Sequence, residues 1–204
     1  MIPFDETPHG HLTRARRHLE GDDRADLFYA ALELRFCVEA RQDSYVQAQR
    51  RYLKSIPPAH KIGNQAAALR RLFNRDEILR LEIDFYDAPP TLLYYTPVTN
   101  DLKTCAEKLG DLLHVQKVRR SENDAWWLAQ KNYLLRTYRL AWVACRGEML
   151  SPLLLRSDNS VIGAIEVMEE QDPGFFGRLG EVGRRGTFNV AYIDALPSDL
   201  RPDI

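Results

Sequence analysis

The sequence has few cysteines, and none of them stands in a metal-binding or redox pair. Cys37, Cys105 and Cys145 are the only three among 204 residues, and no C-x-x-C spacing occurs. Such a sparse, odd number of thiols is typical of buried, reduced cysteines in a cytosolic protein, and not of a disulfide framework or a zinc site. We therefore expect a cytoplasmic protein without a metal or another cofactor.

Long apolar runs and a large net charge are also missing. The apolar stretches are short, such as Leu153 to Leu155, whereas a membrane-spanning helix needs roughly 20 such residues. Residues 1–6 carry acidic side chains and no apolar run, so we expect no secretory signal and no membrane association. A formal net charge of −1 excludes a histone-like basic protein and a chain that is mainly an acidic tail.

Common catalytic motifs are absent from the chain. It contains neither the phosphate-binding loops G-x-x-x-x-G-K-[ST] and G-x-G-x-x-G nor the hydrolase motifs H-E-x-x-H and G-x-S-x-G. Asp101 and Lys103 have the D-x-K spacing of metal-dependent nucleases. Because they fall where a helix is predicted to begin, we interpret Asp101 as an acid that stabilises the helix N-terminus.

What the sequence does have is a long stretch of helical periodicity. Hydrophobic residues make up 45% and charged residues 28% of the chain, as in soluble globular proteins. Up to about residue 147, apolar residues recur three and four apart, as the buried face of a helix requires. With stops at Pro57-Pro58 and Gly147, the pattern predicts five helices, near 8–21, 23–53, just after residue 64, 99–114 and 121–146.

Three features of these helices are more specific predictions. Ser121 and Asp124 form a pattern like a capping box, which places the start of the last helix at Ser121. Leu113 and Leu128 fall on apolar faces and are expected to be buried. Gly110 inside a helix costs about 1 kcal/mol relative to alanine, so its presence suggests a close backbone approach.

Alternating apolar and polar residues predict strands. Residues 79–86 and 92–96 alternate around a turn at 87–90, which predicts a β-hairpin. Further strands are expected in 149–155, 161–168 and 187–193. The predicted class is therefore α+β and mostly α: a four- to five-helix bundle domain at 1–147 with a β-hairpin insert near 78–96, and a small β-rich C-terminal extension at 148–204 packed on it.

Two groups of polar side chains are candidates for a site. Arg35 and Glu39 lie four residues apart at the edge of an apolar stripe. They form either an ion pair at the rim of the bundle or a polar cluster inside an interface or cleft. His114 lies at a helix end, where it either satisfies the helix dipole or transfers protons near neutral pH.

Two segments carry a resemblance to a known family. Residues 23–41, with the core Ala-Ala-Leu-Glu-Leu-Arg-Phe-Cys-Val-Glu, resemble the second helix of bacterial HEPN-like helical domains. The stretch Lys108-Leu-Gly-Asp-Leu-Leu-His114 resembles the terminal signature of the same superfamily. The resemblance covers roughly residues 12–54 and 99–147. It implies a four- or five-helix bundle, a dimer, and a place in toxin–antitoxin or phage-defence systems.

The same resemblance implies a ribonuclease activity. Active members of the superfamily are metal-independent ribonucleases that use an Arg, four to six further residues and a His, with two copies meeting across a dimer. Five residues separate Lys108 from His114, but Lys lacks the planar fork with which Arg holds a phosphate. In such an activity His114 is the general acid/base, Lys108 the phosphate ligand, and Arg35 with Glu39 the positioning groups.

The pair Trp126-Trp127 indicates a surface that a partner covers. Neighbouring helical residues point about 100° apart, so both rings are buried only where two surfaces cover the helix. We expect one ring to face the core and the other an oligomer or partner surface, the alternative being that both rings are internal. Basic side chains elsewhere are candidates for RNA or DNA binding, namely Lys117, Arg119, Arg120, Arg178, Arg184 and Arg185.

The favoured hypothesis is a non-catalytic interaction or regulatory module that is homodimeric or bound to a protein partner. It follows from the missing catalytic motifs, the paired tryptophans and the charged face of the second helix. The alternatives are a divergent HEPN-like, metal-independent ribonuclease and a nucleic-acid-binding protein.

Overall fold

Helices make up most of the described chain, as the sequence predicts. The computed structural model describes residues 5–73, 76–85, 89–114, 118, 120–121, 124–152, 154–155, 161–162 and 186–200. The helices are α1 (Pro8–Glu20), α2 (Arg24–Ala48), α3 (Ile62–Arg70), α4 (Asn100–Leu113) and α5 (Trp126–Arg146), with 3-10 turns at Arg50–Tyr52 and Ser198–Leu200. The strands are β1 (Ile78–Phe85), β2 (Thr91–Tyr95), β3 (Leu154–Leu155), β4 (Val161–Ile162) and β5 (Gly186–Ile193). The α+β, mostly helical class is confirmed, while the grouping of the helices as a bundle stays a prediction.

Three helices begin at capping side chains that the sequence reveals. The Thr7 side chain accepts a hydrogen bond from the backbone N–H of Gly10, and Pro8 is the first residue of α1. Asp23 caps α2 and Thr99 caps α4 in the same manner. Each cap satisfies one of the N–H groups that a helix leaves without a partner in its first turn.

The start of α5 differs from the prediction. The helix begins at Trp126 and not after Ser121. The Asp124 side chain accepts a hydrogen bond from the backbone N–H of Trp126 at 2.9 Å. The carboxylate of Asp124 thus satisfies one N–H group of the first turn, a role that the predicted capping box assigns to Ser121.

Two leucines that were expected to be buried are exposed. The buried residues of α5 include a stripe of Leu134, Tyr138, Ala141 and Cys145. Seven residues before Leu134 this stripe reaches Trp127, which points about 100° away from Leu128. In α4 the stripe passes from Leu109 to Leu112, so that Leu113 points outward. Both predictions are therefore wrong by one position: the inward residue is Leu112 instead of Leu113, and Trp127 instead of Leu128.

α2 is the helix around which the other helices pack. It contacts α1, α3, α4 and α5, and its residues Ala30, Leu34 and Cys37 are fully buried. A helix that is covered on several sides buries more than one stripe of side chains. This is why apolar residues surround much of α2 instead of following a single face.

α1 and α2 are joined by two histidine–carboxylate pairs one heptad apart. His11 Nδ1 lies 2.7 Å from Glu33 Oε2, and His18 Nδ1 lies 2.8 Å from Asp26 Oδ1. The Nε of Arg14 donates to Glu33 Oε1 at 3.0 Å. Burial raises the pKa of the Glu33 carboxyl, but the hydrogen bonds from Arg14 and His11 outweigh it, so this pKa lies below its usual range. Glu33 is therefore ionised at neutral pH.

Three antiparallel strands form the main sheet, in the order β2-β1-β5. β1 and β2 are the predicted hairpin, with Leu81 opposite Leu93. β5 pairs with the other edge of β1, where Val190 lies opposite Leu81. One face of the sheet packs against Tyr45 of α2 and Leu69 of α3. The last predicted strand therefore belongs to the same sheet as the hairpin.

The other strands predicted near the C-terminus are described only in part. β3 and β4 have two residues each and pair with each other as a separate ladder. In residues 149–152 the structure has only an isolated β-bridge residue, Met149. The other residues of the predicted strands, 153 and 163–168, lie outside the described residues. The predicted division of the chain at residue 147 stays a prediction. β5, which follows this point in the sequence, pairs with β1 of the hairpin.

One buried junction connects α2, β2 and the end of α5. The guanidinium of Arg41, which is 1% exposed, donates to the carbonyls of Ala144 and Gly147. The Thr96 hydroxyl donates to the Ala144 carbonyl and accepts from the Gly147 N–H, each at 2.9 Å. The Tyr45 hydroxyl donates to the Thr96 carbonyl. We call these five residues the α2–β2–α5 junction.

Candidate functional site

Arg35 and Glu39 form an ion pair where α2 faces α4. The Nε of Arg35 donates to Glu39 Oε1 at 2.7 Å, and both side chains are mostly buried. The Nη1 of Arg35 lies 3.4 Å from the carbonyl oxygen of Ala106, and its Nη2 lies 3.5 Å from that of His60. The guanidinium therefore links α2 to α4 and to the loop before α3, and groups of this chain occupy all of its nitrogens.

Lys108 and His114 lie on the exposed side of α4 and just after its end. The backbone N–H of His114 donates to the Gly110 carbonyl at 3.1 Å. Arg35 reaches the same turn, because its Nη1 lies 3.6 Å from the position of a Cβ on Gly110. The structure thus brings Arg35 and Glu39 together beside the segment 108–114, and leaves the side chains of Lys108 and His114 in contact with solvent.

Packing does not require Gly110 to be a glycine, so the predicted close backbone approach is wrong. Among the described residues, and outside the backbone of α4 itself, the nearest atom to a Cβ at this position is Arg35 Nη1, at an ordinary contact distance of 3.6 Å. We expect Gly110→Ala to raise the free energy of unfolding by about 0.5–1 kcal/mol, because alanine is the better helix former. Urea unfolding followed by circular dichroism measures the change. A loss of stability would mean that the guanidinium of Arg35 cannot adjust.

The paired tryptophans belong to an aromatic cluster at the start of α5. The rings of Trp126 and Trp127 meet edge to face with 4.9 Å between their centroids, and Trp127 meets Phe28 of α2 in the same way at 6.3 Å. The guanidinium of Arg24 lies 4.9 Å from the Trp127 centroid, and that of Arg120 lies 4.4 Å from the Trp126 centroid. We call these five residues the tryptophan cluster.

Both indole rings are half-buried, whereas the sequence predicts one inward and one outward ring. Trp126 and Trp127 pack against the core, and the Nε1 of Trp127 donates to the Ser121 carbonyl at 3.0 Å. The exposed apolar residue beside them is Leu128, which is 65% exposed. The cluster is therefore a fixed, partly covered aromatic surface with a leucine in solvent at its border.

Most of the predicted nucleic-acid-binding residues lie outside the described residues, namely Lys117, Arg119, Arg178, Arg184 and Arg185. Arg120 is described, and it is engaged within the chain. Its guanidinium stacks on Trp126, and its Nη1 lies 3.7 Å from Asp124 Oδ2. A nearby carboxylate offsets part of its charge and leaves less of it for a phosphate.

A groove between α3 and residues 52–58 is a further candidate site, which the sequence does not reveal. Its volume is about 710 Å³. The side chains that line it include Lys54, Lys61 and Arg71, together with Tyr52 and Ile56. These cations are scattered along the sequence, so no local motif marks them. The recurrence of Lys61, Asn64, Ala68 and Arg71 at helical spacing is the signal that would have placed part of the set on one face.

The described residues also lack two kinds of feature. They contain no group of three His, Cys, Asp or Glu side chains that could hold a metal ion. Within the same ranges, no helix is long and apolar enough to cross a membrane.

Comparison with family models, with curated proteins and with solved structures found no match for this chain.

Proposed function

We propose that this chain is a non-catalytic interaction module that binds a protein surface, in the first place a second copy of itself. The binding surface consists of the tryptophan cluster and Leu128. The observation that carries the proposal is the 65% exposure of Leu128 beside two half-buried tryptophans. A single exposed leucine is ordinary on a protein surface, but one that borders fixed aromatic rings extends an apolar patch.

The composition of this surface fits a binding hot spot. Tryptophan and arginine are among the residues that most often carry the energy of an interface, and here Arg24 and Arg120 stack on the two indoles. The rings are held by contacts with each other and with Phe28. Little side-chain entropy is therefore lost when a partner covers them.

A divergent HEPN-like ribonuclease is the second candidate. In its favour, Arg35 lies against the turn at Gly110, between Lys108 and His114 in the sequence. We rank it second because Arg35 is already engaged by Glu39. A role in a toxin–antitoxin or phage-defence system follows from the family resemblance alone and stays a prediction.

We place the module in the cytoplasm. Cys37, Cys105 and Cys145 are all buried and free, and the sulfur atoms of Cys37 and Cys145 lie 3.5 Å apart. A sparse, odd number of buried cysteines fits a reducing compartment.

The test is the substitution Leu128→Asp, with Leu92→Asp as its matched control. Both leucines are exposed, the second on β2, so neither change removes a buried side chain. We expect the purified chain of 23.6 kDa to form a dimer in light scattering after size exclusion. Leu128→Asp should weaken this dimer about tenfold or more, because a carboxylate would be buried in the apolar contact.

The oligomeric states of Leu92→Asp and of the wild type decide whether the proposed binding surface is correct. Leu92→Asp should leave the dimer intact. A wild-type monomer that co-purifies with a protein partner in equal amounts, and loses it on Leu128→Asp, also supports the module. A wild-type monomer without a partner contradicts the proposal, as does an equal effect of the two substitutions.

A further inference from the structure

The groove beside α3 has two walls of different kinds. One wall is a face of α3 and its ends, where Lys61, Asn64, Ala68 and Arg71 recur three and four residues apart. The other wall is the chain from Tyr52 to Pro58. Pro57 and Pro58 restrict the backbone of this second wall. The groove therefore lies between two stretches of backbone and is not a gap between two mobile side chains.

The charge of the groove is of one sign as far as its described lining shows. Lys54, Lys61 and Arg71 line it and are exposed, and no aspartate or glutamate is among the described residues that line it. None of the described carboxylates forms an ion pair with these three cations. Three like charges around one cavity repel each other and favour an anion that neutralises them.

The groove also offers apolar surface next to these cations. The ring of Tyr52 is 40% exposed and Ile56 is 48% exposed, and both line the cavity. The guanidinium of Arg51 lies 4.9 Å from the centroid of the Tyr52 ring, which helps to fix the ring. An exposed aromatic ring beside cations is the combination on which nucleobases stack while their phosphates are neutralised.

The size of the cavity agrees with this chemistry. Sites for small ligands usually enclose about 300–1,000 Å³, and this one has about 710 Å³. A bare phosphate would leave most of that space to water. A ligand that combines a phosphate with a ring system uses both the cations and the apolar side chains.

We propose that the groove binds a nucleotide unit, with the positive charge of Lys54, Lys61 and Arg71 attracting its phosphate and with its base against Tyr52 and Ile56. The unit is either a free nucleotide or part of a single-stranded nucleic acid, since both present the same phosphate and base. The site shares no residue with the tryptophan cluster. The proposal is therefore independent of the proposed interaction module.

The test measures binding of two probes to the full chain, AMP by calorimetry and a fluorescein-labelled ten-nucleotide oligouridylate by anisotropy. We expect at least one probe to bind with a Kd below about 1 mM, and more weakly as salt is added. The double substitution Lys54→Gln with Arg71→Gln should raise that Kd about tenfold or more, because it removes two of the three positive charges that attract the phosphate. Binding of AMP identifies a free nucleotide as sufficient, and binding of the oligouridylate alone identifies a nucleic acid.

The matched control is the double substitution Arg17→Gln with Lys103→Gln, which changes the net charge equally on α1 and α4, away from the groove. It should leave the Kd within about twofold. In addition, Tyr52→Ala should weaken AMP but not inorganic phosphate, because only AMP has a base to stack. The proposal is overturned if neither probe binds, or if the two double variants weaken binding to the same extent.

Discussion

Replacing Arg41 with alanine should lower the free energy of unfolding by about 3–5 kcal/mol, as for a large buried side chain that also donates charged hydrogen bonds. Arg41 is 1% exposed. Its Nε donates to the Ala144 carbonyl at 2.7 Å, and its Nη2 donates to the carbonyl of Gly147. Its guanidinium also lies 4.6 Å from the centroid of the Tyr45 ring.

The expected loss has two physical causes. A helix leaves its last carbonyls without partners inside the helix, and at the end of α5 the guanidinium of Arg41 donates to one of them, that of Ala144, and to the carbonyl of the C-cap residue Gly147. The positive charge also lies favourably at the negative end of the helix dipole. Truncation at Cβ removes these donors and leaves a cavity beside Tyr45.

Urea unfolding followed by circular dichroism measures the loss, and Arg41→Lys serves as the comparison. Lysine keeps the charge and most of the stem but has no planar fork, so it cannot reproduce the arrangement of donors at both carbonyls. We expect Arg41→Lys to lie between the wild type and Arg41→Ala. A loss of less than about 1 kcal/mol for Arg41→Ala would show that water can replace the guanidinium.

Replacing Gly147 with alanine should cost about 2–3 kcal/mol of stability, as for an overpacked buried position. A Cβ at this position would lie 2.5 Å from Thr96 Oγ1 and 2.7 Å from both the Thr96 nitrogen and the Tyr94 carbonyl oxygen. Two of these three atoms belong to the backbone of β2 and its end, which cannot rotate away. The glycine is required by this close approach and not by an unusual backbone angle, since its φ is −71°.

The natural control for Gly147→Ala is Gly110→Ala, because it adds the same methyl group elsewhere on the chain. At Gly110 the one described group that the methyl group meets outside α4 is a flexible guanidinium, at 3.6 Å, so the two substitutions should change stability in opposite directions. The same urea unfolding experiment measures both. A neutral Gly147→Ala would indicate that β2 and the end of α5 can move apart without loss.

Local sequence rules account for much of the fold. Thr7, Asp23 and Thr99 begin helices as their capping side chains predict, since a cap bonds to a backbone N–H only two or three positions away. The β-hairpin is predictable for the same reason, because its alternation and its turn are adjacent. The pairing of β5 with β1 was not predictable, because alternation identifies a strand but not its distant partner.

Among the candidate sites, too, those formed by residues close in the sequence were predictable, and those formed by distant residues were not. The pair Arg35–Glu39 follows from its i,i+4 spacing. The groove does not follow from spacing, because Lys54 and Arg71 come to line it only through the turn that follows α2 and the position of α3. Periodicity also could not tell Leu128 from Trp127 as the inward residue, since both are apolar and adjacent.

The position of β1 at the centre of the sheet has a consequence for synthesis of the chain. Ile78 pairs with Ile193, so more than half of the chain must be made between these two partners. α1 and α2 are neighbours in the sequence, so both are available for packing early in synthesis. One edge of β1, in contrast, has no partner until β5 has been made. Until β5 emerges from the ribosome, that edge presents unpaired backbone groups to other chains, and a nascent or interrupted chain is the form most exposed to aggregation.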